Sequence, residues 1–326
     1  MGGKVVVIGA GAWGTALAIT AARAGNDVTL VARDDERADA MAEHRENKTY
    51  LPGVELPGGM RFSSKLTAAI DGDAVVLAVP AQATREIAPQ IAPFLQPATP
   101  VVLTAKGFER DTGLRLSQVA AEYMPGMPLA VLSGPSFAAD VGRGLPTAVT
   151  LACSDPMLAE EIALMLSVPT FRLYVSDDVV GAEMGGALKN VLAIACGIVE
   201  GRELGASARA ALTTRGFAEM QRLAVAQGAR SETLHGLSGL GDLLLTCSSP
   251  KSRNFAYGLA LGAGQASDET ILSEGRFTAS AVMRKASEAG IEMPICAAVD
   301  AIIEEKMSID EAINALLSRP LRSELG

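Results

Sequence analysis

Of 326 residues only two are histidine and four are cysteine, and the cysteines (Cys153, Cys196, Cys247 and Cys296) lie far apart with no C-x-x-C pair. That spacing suggests neither a zinc site nor a disulfide framework, so no metal is assigned, and the thiols read as small buried residues of a reducing cytoplasm. Basic clusters are missing too. A net charge of −9 is spread without long runs, which argues against a nucleic-acid surface, since that needs a dense cationic patch. No repeat or low-complexity tail occurs. The longest membrane-like stretch, Val5 to Ala22, is uncharged over 18 residues, but Gly9, Gly11 and Gly14 interrupt it. It reads as a buried strand, a turn and a helix, and the other uncharged runs are too short to span, so no stable membrane insertion is expected. The start, Met1-Gly2-Gly3-Lys4-Val5-Val6, also lacks the hydroxyl residue of a myristoylation signal.

With 49% hydrophobic and 20% charged residues, the composition is that of a globular protein, and the length suits two domains. KVVVIGAGAWGTALA gives strand, then G-x-G-x-x-G as Gly9, Gly11 and Gly14, then a helix to about Gly25. In that context the glycines let backbone amides at a helix N-terminus meet a pyrophosphate. The second strand, DVTLVARDD, ends in Ala32 and Arg33 where NAD binders usually carry an acid. Arg33 there favours a 2′-phosphate, and hence NADP(H) over NAD(H), unless Asp34 or Asp35 takes the acid's place. After the Pro- and Gly-rich segment HRENKTYLPGVELPGG, the continuous apolar runs AVVLAVP and PVVLTAKG imply two more parallel strands buried on both faces. Lys106 ends the second of them, at the sheet edge where ligands sit in open α/β folds. LAVLSG and PTAVTLAC are further strands, and between them Gly134-Pro135-Ser136 breaks the chain. Ser136 there suits either an anion site or a helix N-cap.

From Val179 the pattern turns to long helices. The expected organisation is an α/β Rossmann-type dinucleotide-binding domain over residues 1–178 followed by an all-α domain over 179–326. The second domain opens with GAEMGGALKNVLAIACGIVEG, a helix with the single lysine Lys189. Gly185, Ala193 and Gly197 fall along its face by the helical period, leaving a face stripped of bulk that either a ligand or a second helix would fill. Each such glycine costs a helix about 1 kcal/mol against alanine, so close approach is the reason to keep it. Substrate at the domain junction is one candidate occupant, and a neighbouring helix suits the same small residues equally. SARAALTTRGFAEMQRLAVAQGA continues as helix, followed by a loop, LHGLSGLGDLLLTCSSPKSRN, in which glycines surround Asp242 and Ser252-Arg253-Asn254 come shortly after. That triplet suits a phosphate, as a planar donor with neutral donors beside it, or a surface helix cap.

Together GAGAWGTALA, NKTYLPG, AKGFE, LSGPSFAADV, ALKNVLAIACGI, TTRGFAEM, GLSGLGDLLLTCSSPKSRN and SEGRFTA closely resemble the bacterial NAD(P)-dependent sn-glycerol-3-phosphate dehydrogenases over nearly the whole chain. The resemblance implies interconversion of sn-glycerol 3-phosphate and dihydroxyacetone phosphate for phospholipid synthesis, with a small phosphorylated three-carbon substrate; the apolar helices of the second domain suit packing either within one chain or across a homodimer, which periodicity does not distinguish. It implies Lys189 as the proton acceptor. Lys106, Gly134, Ser136, Lys189, Asp242, Ser252, Arg253 and Asn254 match substrate-holding positions; Ala12, Trp13, Arg33, Lys106, Ala138, Arg253, Leu272 and Glu274 match cofactor-contacting ones. Asp140 stands where the family commonly has Glu, and Ser207 where Asn is frequent. Two competing readings are a dehydrogenase of the 3-hydroxyisobutyrate or 6-phosphogluconate type, which also uses a helix-borne lysine, and a non-catalytic NADPH sensor. Physically, a lysine takes a hydroxyl proton near neutral pH only if burial or nearby cations lower its pKa. Asp242, if near, orients Lys189 and pushes that pKa back up.

Overall fold

A computed structural model describes residues 2–265 and 273–320. The β-branched runs that cannot expose themselves form one eight-stranded sheet, ordered β3-β2-β1-β4-β5-β6-β7-β8. Its strands are β1 (Lys4–Ile8), β2 (Asp27–Val31), β3 (Arg61–Ser63), β4 (Ala74–Leu77), β5 (Val101–Leu103), β6 (Leu129–Ser133), β7 (Thr147–Cys153) and β8 (Phe171–Ser176). All pairings are parallel except β6 with β7. Strand alternation divides the residues between the two faces: Val5, Val7, Val76, Val102 and Leu132 join one apolar cluster, while Val6, Ile8, Val75, Leu77, Val101 and Leu103 join another on the opposite face.

Helices α1 (Ala12–Arg23), α2 (Asp35–His44), α3 (Thr84–Ile91), α4 (Leu116–Tyr123), α5 (Ala138–Gly142) and α6 (Pro156–Leu166) connect the strands. Strand order reverses beside β1, which lies between β2 and β4, so the crevice for a ligand opens at the carboxyl ends of β1 and β4. Two strands were not foreseen from sequence. β3 has only three residues, and β8 is an edge strand carrying exposed Arg172, Tyr174 and Val175, so neither is the continuous apolar run by which the others are recognised.

Beyond Ser176 all regular structure among the described residues is helical: α7 (Val179–Gly201), α8 (Ala206–Ala226), α9 (Ser231–His235), α10 (Asp242–Thr246), α11 (Arg253–Gly262), α12 (Glu274–Glu288), α13 (Pro294–Ile303) and α14 (Ile309–Leu317). The expected loop between α8 and α11 is therefore corrected. It contains α9, a π-helical turn Leu237–Gly241, and α10 beginning at Asp242. α7 is long and apolar enough to cross a membrane, but nearly all of it is buried inside the protein. Its apolar residues form one cluster with Met220 and Leu223 of α8, Phe255 of α11, Val282 of α12 and Val299 of α13.

The small residues of α7 serve that packing. A Cβ on Gly197 would stand 2.1 Å from the Phe255 carbonyl oxygen, one on Gly201 2.3 Å from that of Leu259, and one on Gly185 2.4 Å from that of Ser238. A Cβ on Gly186 would meet Ser133 Oγ at 2.7 Å. The bare face seats α11 and the π-helical turn, so of the two occupants its small residues suit, Gly185, Gly197 and Gly201 face packed backbone.

Candidate active site

Lys189 lies in the middle of buried α7 and is only 6% exposed. Its Nζ donates to Asp242 Oδ1 at 2.6 Å and to Thr246 Oγ1 at 2.8 Å. Asp242 opens α10, and Thr246, four residues on, shares its helical face. The other oxygen of Asp242 accepts from Lys106 Nζ at 2.7 Å. A single buried carboxylate thus sits between two ammonium groups, one more cation than it can balance. Burial lowers the Lys189 pKa to about 8; Asp242 opposes the shift and Lys106 adds to it. The group can therefore change protonation state near neutral pH.

Lys106 follows β5 and is tied at two points. Its Nζ also donates to the Gly134 carbonyl at 2.8 Å, and its own carbonyl accepts from Asn190 Nδ2 at 2.8 Å. Gly134 has φ +144°, and a Cβ there would come 2.9 Å from Val149 Cα, so glycine is required by conformation and by space. Ser136 Oγ donates to the same carbonyl at 3.1 Å. It caps no helix: α5 begins after Phe137 with no side-chain cap, which removes one of the two readings of Ser136.

Ser252 is the N-cap of α11, its Oγ accepting from the Phe255 amide at 3.3 Å. Arg253 is exposed on the first turn of that helix. Asn254 turns inward: it donates to Asn190 Oδ1 at 2.8 Å and accepts from Ser273 Oγ at 2.7 Å and the Gly275 amide at 2.9 Å. The triplet is thus a cap, an outward arginine and an inward brace on the neighbour of Lys189. Glu274 opens α12 and accepts from the Ala81 amide at 3.1 Å, and burial raises its pKa.

At the glycine turn the residues fit a dinucleotide pyrophosphate. Gly9 has φ +109°, and a Cβ there would meet the Ala78 carbonyl at 2.5 Å, while one on Gly14 would meet the Gly9 carbonyl at 1.9 Å. Gly11 alone has open space around it. It is the N-cap of α1, with no side-chain cap and no acid in the first turn. The amides of Ala12 and Trp13 have no earlier carbonyl in the helix to bond, so an anion in that space is favoured. The Trp13 ring packs edge-on against Phe171, centroids 6.4 Å apart. Arg33 is exposed after β2, and neither aspartate beside it is free: Asp34 caps α2 through the Arg37 amide, and Asp35 accepts from Ser64 Oγ. Ala138 is half-buried at the start of α5. Leu272 lies outside the described residues.

Family models described as the N-terminus and C-terminus of NAD-dependent glycerol-3-phosphate dehydrogenase match residues 4–159 and 178–314. A protein named glycerol-3-phosphate dehydrogenase [NAD(P)+] from Parvibaculum lavamentivorans is 55% identical over 326 residues, 98% of each chain. The chain belongs to this dehydrogenase family. A second relative of that name, from a Bradyrhizobium species, is 56% identical over 320 residues, again 98% of each chain. The crystal structure of the glycerol-3-phosphate dehydrogenase of Coxiella burnetii superposes with a TM-score of 0.92 at 38% identity, covering 98% of this chain and 99% of that one.

In this member of the dehydrogenase family three residues of the site escaped the sequence reading. Thr246 is the second hydrogen-bond partner of Lys189; its spacing of four from Asp242 would reveal it once that segment is known to be helical. Asn190 braces Lys106, and Asn47 donates to the Ala10 carbonyl at 2.9 Å and to Thr15 Oγ1 at 2.8 Å, fixing the glycine turn. These bonds span 84, 37 and 32 residues, and no local pattern signals them.

Proposed function

We propose that this dehydrogenase interconverts sn-glycerol 3-phosphate and dihydroxyacetone phosphate with NAD(P)H, supplying glycerol phosphate for phospholipid synthesis. The observation that carries the reading is the buried lysine with a pKa near 8, sharing one carboxylate with a second lysine. When bound, the nicotinamide cofactor supplies or takes the hydride. In the reducing direction protonated Lys189 gives its proton to the oxygen that becomes the hydroxyl, and Lys106 stabilises the negative charge developing there. In the oxidising direction neutral Lys189 removes the hydroxyl proton. Asp242 holds both ammonium groups in register, and Thr246 fixes the second hydrogen-bond direction of Lys189. The phosphate is assigned to Arg253, with Ser252, Asn254, Gly134 and Ser136 shaping the substrate side.

On the cofactor side the assignment is Gly9, Gly11, Ala12, Trp13, Gly14, Arg33, Lys106, Ala138, Arg253, Leu272 and Glu274. Arg33 without a free acid beside it supports preference for NADP(H), with NAD(H) also accepted. The two-domain division at 178/179 puts the Rossmann-type part before α7 and the substrate-binding helices after it. We further assign a homodimer in the cytoplasm, with no stable membrane insertion. The hydroxyisobutyrate-type reading and the non-catalytic sensor are not favoured, because relatives over 98% of the chain carry the glycerol-3-phosphate dehydrogenase name. A substrate panel tests the assignment: dihydroxyacetone phosphate should support NADPH oxidation and unphosphorylated dihydroxyacetone should not. Equal reduction of the carbonyl form of a hydroxy acid with NADPH, or equal oxidation of the hydroxy acid with NADP+, would reverse it.

A further inference from the structure

At the carboxyl end of β2, dinucleotide folds that favour NAD hold the adenosine ribose hydroxyls with a carboxylate. Here Asp34 is occupied by one residue. Its Oδ1 accepts from the Arg37 amide at 3.0 Å, and its Oδ2 lies 3.5 Å from Arg37 Nε. Arg37 is held from the other side as well: Nη1 donates to the Tyr50 hydroxyl at 3.2 Å, and the guanidinium lies 5.5 Å from the centre of the Tyr50 ring. Arg37 and Tyr50 line one small cleft together with Ala10 of the glycine turn, Met41 and Asn47. Arg37 therefore reaches the side of the glycine turn from α2, in a cleft that Glu46 and Lys48 also line, while Arg33 is exposed just after β2.

We propose that Arg37 is a specificity-determining residue for the cofactor. Paired with Asp34, it cancels the charge that would otherwise accept ribose hydroxyls and repel a phosphate; with Arg33, it forms a cationic subsite for the 2′-phosphate of the adenosine ribose. This rests on the dinucleotide reading of the glycine turn. The pair is about half exposed, with 43% and 46% of its side chains accessible, so the ion pair alone contributes little to stability. Its effect lies in discrimination: the guanidinium is a planar fork of donors, and it lies against the Tyr50 ring.

The test compares adenosine 2′,5′-bisphosphate with AMP, which lacks only the 2′-phosphate, by calorimetric titration of the full chain. The wild type should bind the bisphosphate about tenfold or more tighter, as one charge-assisted contact allows. Arg37→Ala should bring that ratio towards one by weakening the bisphosphate and sparing AMP, and Arg33→Ala should do the same. Arg37→Lys should restore only part of it, and Asp34→Asn added to Arg37→Ala should recover the part due to the carboxylate. Equal weakening of both ligands by Arg37→Ala, or no change in either, overturns the inference and leaves Arg37 as a support for the Tyr50 loop. Turnover of dihydroxyacetone phosphate by the wild type is read separately. Turnover without a bisphosphate preference sinks this inference alone; a bisphosphate preference without turnover sinks the proposed function alone.

Discussion

Lys189 is the residue to which we assign the acid–base chemistry, and the behaviour expected of it follows from its surroundings. Burial has driven its pKa down to about 8 against the pull of Asp242. A group that must be neutral to accept a proton and charged to donate one gives opposite pH profiles in the two directions. Oxidation of glycerol 3-phosphate should rise with pH through about 8, and reduction of dihydroxyacetone phosphate should fall there; parallel profiles would exclude Lys189 as the titrating group. Arg253, exposed at the start of α11, should act chiefly in binding. Arg253→Ala is expected to raise KM for the phosphorylated substrate by about tenfold or more with a smaller change in kcat, and an unchanged KM would move the phosphate elsewhere. At this scale the sequence was informative where chemistry is local: Lys189, Asp242 and the glycine turn stand out by type and spacing. It was uninformative for Thr246, whose role depends on a helix hidden inside a glycine-rich segment.

Among the elements, α7 is where the structure decides between two readings the sequence left open. Its glycines signalled close approach correctly, because their cost within a helix needs a reason. What approaches is backbone. Periodicity shows that a face is bare, but a ligand and a helix demand the same bareness, and only the path of α11 decides between them. Gly197→Ala should therefore destabilise the fold by about 1–3 kcal/mol, since the added carbon meets the Phe255 carbonyl and neither helix can yield easily. Thermal unfolding would show this as a lowered Tm, and a variant as stable as the wild type would mean that α11 moves freely. The missed strand β8 has a related cause. Its exposed Arg172 and Tyr174 make it resemble surface loop, because an edge strand buries too little to carry the apolar run of a central one.

Across the whole molecule, polar links join the sheet's ligand edge to the helices. Glu274 reaches Ala81, Asn190 reaches Lys106, and Asp242 joins Lys106 to Lys189. Asn254 sits behind this junction. Asn254→Leu leaves Asn190 Oδ1, Ser273 Oγ and the Gly275 amide without the partner they have now, which should cost about 1–3 kcal/mol of stability. It should also lower kcat by loosening Asn190 against Lys106; a variant with normal Tm and normal kcat would remove the brace from the site. Six of the eight strands and the change to long helices after Val179 were legible from apolar runs and glycine punctuation. The junction was not, because its bonds join residues far apart in the chain.

The most direct measurement is NADPH oxidation by the purified wild type and Lys189→Met with dihydroxyacetone phosphate, alongside calorimetric binding of NADPH to both. The expected result is turnover by the wild type, a fall in kcat of about 10²–10⁴-fold in the variant, and NADPH affinity alike in the two. A wild type inactive on dihydroxyacetone phosphate, or a variant that turns over near the wild-type rate, would contradict the central role given to Lys189.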